Sequence, residues 1–118
     1  MAETTRVPLH RLAHARAGDK GNRSNISVIA YDRADFDLLA AQVNEERVHE
    51  VFAARRPTAV VRYALPQLAA LNFVIDDLLE GGVNRGLSLD SHGKTLAFQL
   101  LALEIEVPVN HPAAAPRP

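Results

Sequence analysis

The chain has no cysteine and no tryptophan, a single methionine, and aromatic residues at only 5%. Without cysteine there are no disulfides and no thiolate metal centres. This fits a reducing compartment. Scarce aromatics leave the core to Leu, Val, Ile and Ala. No charge of either sign dominates: thirteen basic residues stand against fourteen acidic ones, for a net charge of −1. That balance, with so few aromatics, argues against a nucleic-acid-binding face or an anionic membrane surface. No uninterrupted apolar run approaches membrane-spanning length. The opening "MAETTRVPLHRL" lacks the apolar centre of a signal peptide. A soluble, cytoplasmic protein is the expectation.

What is present suffices for one domain. The 118 residues are 47% hydrophobic and 23% charged, an ordinary globular mixture. A domain of this size buries roughly two-thirds of the surface of its unfolded chain. Val7 to Ala15 reads as a strand, and "NISVIAY" (Asn25 to Tyr31) as a second, β-branched one. A connection of about eight residues between them makes an antiparallel hairpin the simplest arrangement. Phe36, Leu39, Ala40 and Val43 then recur at helical spacing. Asn44, followed by Glu45 and Glu46, predicts an N-cap and a second helix to about Ala54, with Pro57 closing it.

"TAVVRYAL", Thr58 to Leu65, is strand-like. Pro66 can open a helix, and Leu68, Leu71, Val74, Ile75, Leu78 and Leu79 would form its apolar face up to Gly81-Gly82. A short strand is expected near Leu87 to Leu89. A helix capped by Asp90 or Ser91 then carries Leu96, Leu100 and Leu103. "LALEIEVPV" alternates apolar and polar, which predicts helix to about Ala102 and a short edge strand beyond. The expected domain is 1–108, and "NHPAAAPRP" reads as a disordered Pro/Ala-rich tail over 109–118. The order β-β-α(α)-β-α-β-α buries all these stripes if helices cover one face of a mainly antiparallel sheet. The predicted fold is therefore α+β, a two-layer sandwich and a ferredoxin-like variant.

The chemistry-bearing stretch is "HARAGDKGNRSN", His14 to Asn25. Gly18 and Gly21 let the backbone approach a ligand closely. Successive N–H groups in such a turn can form an anion-binding concavity. Lys20 and Arg23 add charge, and Asn22 and Asn25 add hydrogen bonds, so a phosphate or carboxylate is the natural guest. The competing reading is an ordinary polar turn, with Asp19 paired locally to Lys20 or Arg23. "GDKGNRS" is no Walker loop: its Lys precedes the second glycine, and a strand follows where a helix is required. "GDKG" matches the GxxG of a KH domain, but that loop joins helices rather than strands.

Other candidates are dispersed. His10 and His14, four apart on one strand, would lie roughly 13 Å from each other and cannot share a metal. No metal site is expected. His92, in "DSHGK", sits at a predicted helix start, where it can act as a general acid or base, or simply as a cap-turn residue. Arg62, in mid-strand, faces solvent, pairs, or reaches the glycine loop. Asn72, in an apolar segment, needs partners if buried.

Four segments converge on one family: "LAHARAGDKGNRSNISVIA", "VRYALPQLAALNFV", "GGVNRGLSLDSHGKTLAFQLL" and "EIEVP". They resemble, in the same order, the C-terminal domain of the acyclic terpene utilisation (AtuA-like) proteins, over about Leu9 to Pro108. The resemblance implies a ferredoxin-like fold and a setting in the catabolism of branched acyclic terpenoids and related acyl-CoA compounds. Full-length members carry a much larger region before this domain, so the chain resembles a stand-alone version that pairs with a separate large chain. Positions matching the family pattern are Asp19, Lys20, Gly21, Asn22, Asn25, Arg62, Asn72, Asp90, His92, Gly93 and Lys94.

Two functions are carried forward. In the first, the chain is a small partner subunit of an acyl-CoA-processing enzyme. Lys20, Gly21, Asn22, Asn25, Arg62, Asn72 and Lys94 bind an anionic group, and Asp19 or His92 moves a proton if this chain does chemistry. No cofactor is required, and acyl-CoA enters only as substrate. In the second, the chain is a non-catalytic homo-oligomerisation module, assembled through the apolar segment Pro66 to Leu79, with a purely structural hairpin.

Overall fold

The computed structural model describes residues 3–20, 23–77 and 96–114. Its centre is a four-stranded antiparallel sheet in the order β2-β3-β5-β4. The strands are β2 (Ala13–Lys20), β3 (Arg23–Ala30), β4 (Ala59–Leu65) and β5 (Ala70–Asp76). Strand β1 (Thr4–Pro8) pairs with β6 (Glu104–Pro108) as a separate antiparallel ribbon. Helices α1 (Phe36–Gln42) and α2 (Glu45–Val51) lie between β3 and β4 in the chain, and residues 96–101 are helical ahead of β6.

The two-residue period of side chains along a strand decides how the large sheet is oriented. On β3, Ser24, Ile26, Val28 and Ala30 are buried; on β5, Leu71, Phe73 and Ile75 are. The register sets Ile26 opposite Phe73, Val28 opposite Leu71 and Ser24 opposite Ile75, so these residues share one face. Leu39, Val43, Val48, Phe52, Leu96 and Leu100 complete the same cluster from the helices. The helices therefore cover one face of an antiparallel sheet, an α+β arrangement. Asn44 caps α2 as its position suggests, its Oδ1 accepting from the Arg47 N–H at 2.9 Å.

The largest departure concerns Pro66 to Leu79, which reads as a helix in sequence. Here Pro66–Leu68 form only a single 3₁₀ turn. Ala69 then takes a left-handed conformation (φ 50°, ψ 43°), and the chain continues as β5. The apolar residues of "ALNFVID" fit either period. What decides is the environment: β5 lies between β3 and β4 and gains ladder partners on both sides, and β-branched and aromatic residues suit that pleated surface. Over Ala70–Asp76 the proposed self-association helix is thus a central strand, with Leu71, Phe73 and Ile75 spent on the core.

The hairpin also differs. Instead of a loop of about eight residues, β2 and β3 pair continuously from Ala13↔Ala30 to Lys20↔Arg23. Gly18 lies inside a strand opposite Asn25, not in a turn. Val7 to Ala15 is likewise not one strand, because a 3₁₀ turn at Leu9–Arg11 separates β1 from β2.

The ribbon β1–β6 is tied to the helices by side chains. The Gln42 carboxamide donates to the Glu106 carbonyl and accepts from the Glu106 N–H, both at 2.7 Å. Arg47 donates to the Glu104 carbonyl at 2.6 Å. The expected tail is also engaged as far as Ala114. His111 Nδ1 accepts the Ala113 N–H at 2.9 Å, which places the ring proton on Nε2, 2.8 Å from Asp35 Oδ1. Arg11 Nη1 donates to the Ala113 carbonyl at 2.9 Å. These contacts differ from the disorder expected from 109 onward.

If Pro66 to Asp76 is a turn followed by a central strand, Phe73→Ala will destabilise the protein by about 3–5 kcal/mol in denaturant unfolding. Val61→Thr, on the opposite face of the neighbouring strand, will shift it by less than about 0.5 kcal/mol.

Candidate ligand site

The face of the large sheet away from the helices is built from the other parity of each strand. Register sets it out in rows. Arg16, Ser27, Asn72 and Tyr63 follow one another across β2, β3, β5 and β4. Gly18, Asn25, Val74 and Val61 form the next row, and Arg23 pairs with Asp76 beyond it. Arg16, Gly18, Asn25, Val61 and Tyr63 are exposed, while Ser27, Asn72 and Val74 are half-buried.

A shallow concavity of about 430 Å³ lies on this face, lined by Arg16, Ala17, Gly18, Arg23, Asn25, Ser27 and Val74. Gly18 creates part of it: a Cβ placed there would meet nothing within 4 Å. The glycine is extended, so its role is the missing side chain rather than an unusual backbone. Polar groups around the hollow differ in how far they are already used. Ser27 Oγ donates to Asn72 Oδ1 at 3.1 Å, leaving the Asn72 amide hydrogens for another acceptor. Arg23 Nε donates to Asp76 Oδ1 at 2.7 Å. That hydrogen bond and the Asp76 charge push the Arg23 guanidinium above its ordinary value, and Asp76 in turn offsets its charge. Arg16 makes no ion pair with any other described residue, so it is a cation available to a guest.

The structure brings together only some of the residues singled out in sequence. Asn25 and Asn72 share the outer face, on diagonal neighbours of adjacent strands, roughly 7–8 Å apart. Asp19 and Lys20 occupy the end of β2, opposite Ser24 and Arg23 in register. Gly21, Asn22, Asp90, His92, Gly93 and Lys94 lie outside the described residues, as do the predicted strand near Leu87 and the capping positions of the following helix.

Arg62 does not join the hairpin. It is opposite Phe73, on the core-side face, and its Nη1 donates to the carbonyls of Ala40 at 2.6 Å and Val43 at 3.0 Å. These are carbonyls at the C-terminal end of α1 left without partners by the ending helix, and a cation there also meets the negative end of the helix dipole. Arg62 is a tether between sheet and helix.

Arg16, Ser27 and Val74 were not singled out by sequence reading. The available signal was the two-residue period itself. Once Gly18 and Asn25 belong to strands, the same face must carry Arg16 and Ser27. The other histidines stay apart: His49 is exposed on α2, and His14 stacks on Tyr31 with ring centroids 5.4 Å apart.

An antiparallel sheet with helices on one face and a polar, solvent-facing concavity on the other makes this an α+β sandwich. The chain belongs to the family of the AtuA ferredoxin-like domain, whose family model matches residues 7–106. No curated protein and no solved structure matches the chain.

Arg62→Ala is expected to lower stability by about 2 kcal/mol, because it removes charge-assisted bonds to two helix-end carbonyls. Anion binding at the outer face will be unchanged. Chemical denaturation and a parallel titration check the two halves.

Proposed function

We propose that the chain is a small partner subunit of an acyl-CoA-processing system for branched or terpenoid-like compounds. Its outer sheet face binds an anionic group of the ligand beside the hairpin formed by Gly18 to Asn25. The observation that carries this reading is the concavity itself. An available guanidinium, Arg16, borders a gap left by Gly18, with Asn25, Ser27 and Asn72 supplying neutral hydrogen-bonding groups. An anion recognised by one guanidinium and several amides needs no metal and no cofactor. The resemblance to the acyclic terpene utilisation proteins supports the acyl-CoA setting. A shallow open face is half of a binding site, so a second wall from a larger family chain fits the geometry. Catalysis by Asp19 or His92 belongs to the same proposal, as does a cytoplasmic location.

Titration of the protein with acetyl-CoA, followed by calorimetry and hydrogen exchange, tests this. Binding should protect residues 16–18 and 25–27. Arg16→Ala should weaken it by about tenfold, the loss of one charge-assisted hydrogen bond. Gly18→Leu should block it by filling the gap. Absence of protection by acetyl-CoA or inorganic phosphate would remove the site.

A second reading is favoured by a separate observation. Val61, Tyr63, Leu65 and Leu68 are 40%, 54%, 38% and 64% exposed on β4 and the turn after it. An assembly module would bury that strip against another copy, in place of the helix first expected to do so. Light scattering across a concentration series decides: a strict monomer counts against it.

A further inference from the structure

The outer face has two zones, and their order across the sheet selects a class of ligand. At β2 lies the polar zone, with Arg16 and the gap over Gly18. Moving across the sheet along the row of Gly18, the side chains become Asn25, then Val74, then Val61. Tyr63 stands next to Val61 on the same face, at the neighbouring outward position of β4. The row thus begins beside the cation Arg16 and ends on aliphatic surface next to Tyr63, with no charged side chain in it. Asp76, at the next outward position of β5 beyond Val74, is held by Arg23 at 2.7 Å.

We infer that this face takes an amphipathic anion: a charged group at Arg16 joined to an aliphatic chain lying over Val74 and reaching Val61 and Tyr63. This rests on the anion-binding reading above and goes further by fixing the chain. Charge complementarity places the head at Arg16, since the opposite end of the row offers no cation among the described residues. Three strand spacings separate β2 from β4, about 14 Å, the reach of an extended chain of roughly ten carbons at ordinary bond lengths. A shorter chain leaves Val61 wet, and a longer one runs past the edge strand β4 into solvent. Two sources share this chemistry: a free aliphatic carboxylate and an aliphatic phosphate monoester, each carrying its charge at the end of the chain.

The test is a binding series on the intact protein. Straight-chain carboxylates of four to twelve carbons form one arm and monoalkyl phosphates of the same lengths the other, with inorganic phosphate as the head group alone. Affinity should rise about two- to fourfold per methylene and level off near ten carbons. A rise in one arm alone identifies the source, and either arm supports the inference. Val61→Asp should flatten the rise while leaving affinity for phosphate unchanged. Val61→Thr, which keeps a β-branched side chain in the strand, gives a milder flattening should the Asp variant fold poorly. Affinity independent of chain length, with phosphate still bound, overturns the two-zone ligand and leaves the anion site standing. Failure of phosphate and every chain length to bind overturns both.

Discussion

The pairing of Phe73 with Ile26 across β5 and β3 is the contact on which the rest depends. Both side chains are fully buried, and they fix the parity of every strand in the large sheet. Because the side-chain period is two, a slip of one residue would exchange the faces. Ser27, Asn72 and Asn25 would then enter the apolar cluster, and Ile26, Val28 and Phe73 would meet water. The register that shelters the core is therefore the same register that assembles the outer polar face. No separate device is needed to collect those groups on one surface.

The arginines show how position assigns a charge its work. Arg62, Arg23 and Arg16 all lie on strands of one sheet. Arg62 turns toward the helices and satisfies the end of α1. Arg23 meets Asp76 at the row nearest the hairpin tip. Arg16 points away from the helices with no such partner among the described residues. The surroundings thus sort three chemically identical groups into a structural tether, a surface pair and an exposed guanidinium with no ion-pair partner among the described residues. The polar links between layers also explain how short helices of seven residues, marginal on their own, hold their place. Packing does most of this, and the side chains of Arg62, Gln42 and Arg47 fix the alignment.

Local signals in the sequence identified whatever depended on local physics. Asn44 with two following acids marked the start of α2. The β-branched run after Asn25 marked β3, and the alternation of "EIEVP" marked β6. Elements decided by neighbours were harder to read. "ALNFVID" satisfies both helical and strand spacing, and only its place between two other strands resolves it. Glycines at 18 and 21 suggested a wide loop, because a glycine in a strand and a glycine in a turn look alike in sequence. Arg62 in mid-strand could face solvent, pair or reach the glycine loop. Its partner is a pair of backbone carbonyls in another element, and carbonyls leave no trace in residue identity. The candidate site was half legible for the same reason. Asn25 and Asn72 stood out by type, whereas Arg16 and Ser27 join them only through pairing register.

The clasp of Gln42 on Glu106 bears on how this protein can associate. A strand edge is an open template for another chain. On β6 that template is filled by a carboxamide, which presents one donor and one acceptor as a neighbouring strand would, and by the Arg47 guanidinium next to it. The large sheet has no such stopper among the described residues, and its borders are β2 and β4. A chain that extends the large sheet by adding a strand does so at one of these two borders. At β2 it would lie beside Arg16, and at β4 beside Val61 and Tyr63. Strand addition and occupancy of the outer face are thereby neighbours in space, and a partner that adds a strand also builds a rim for whatever that face holds.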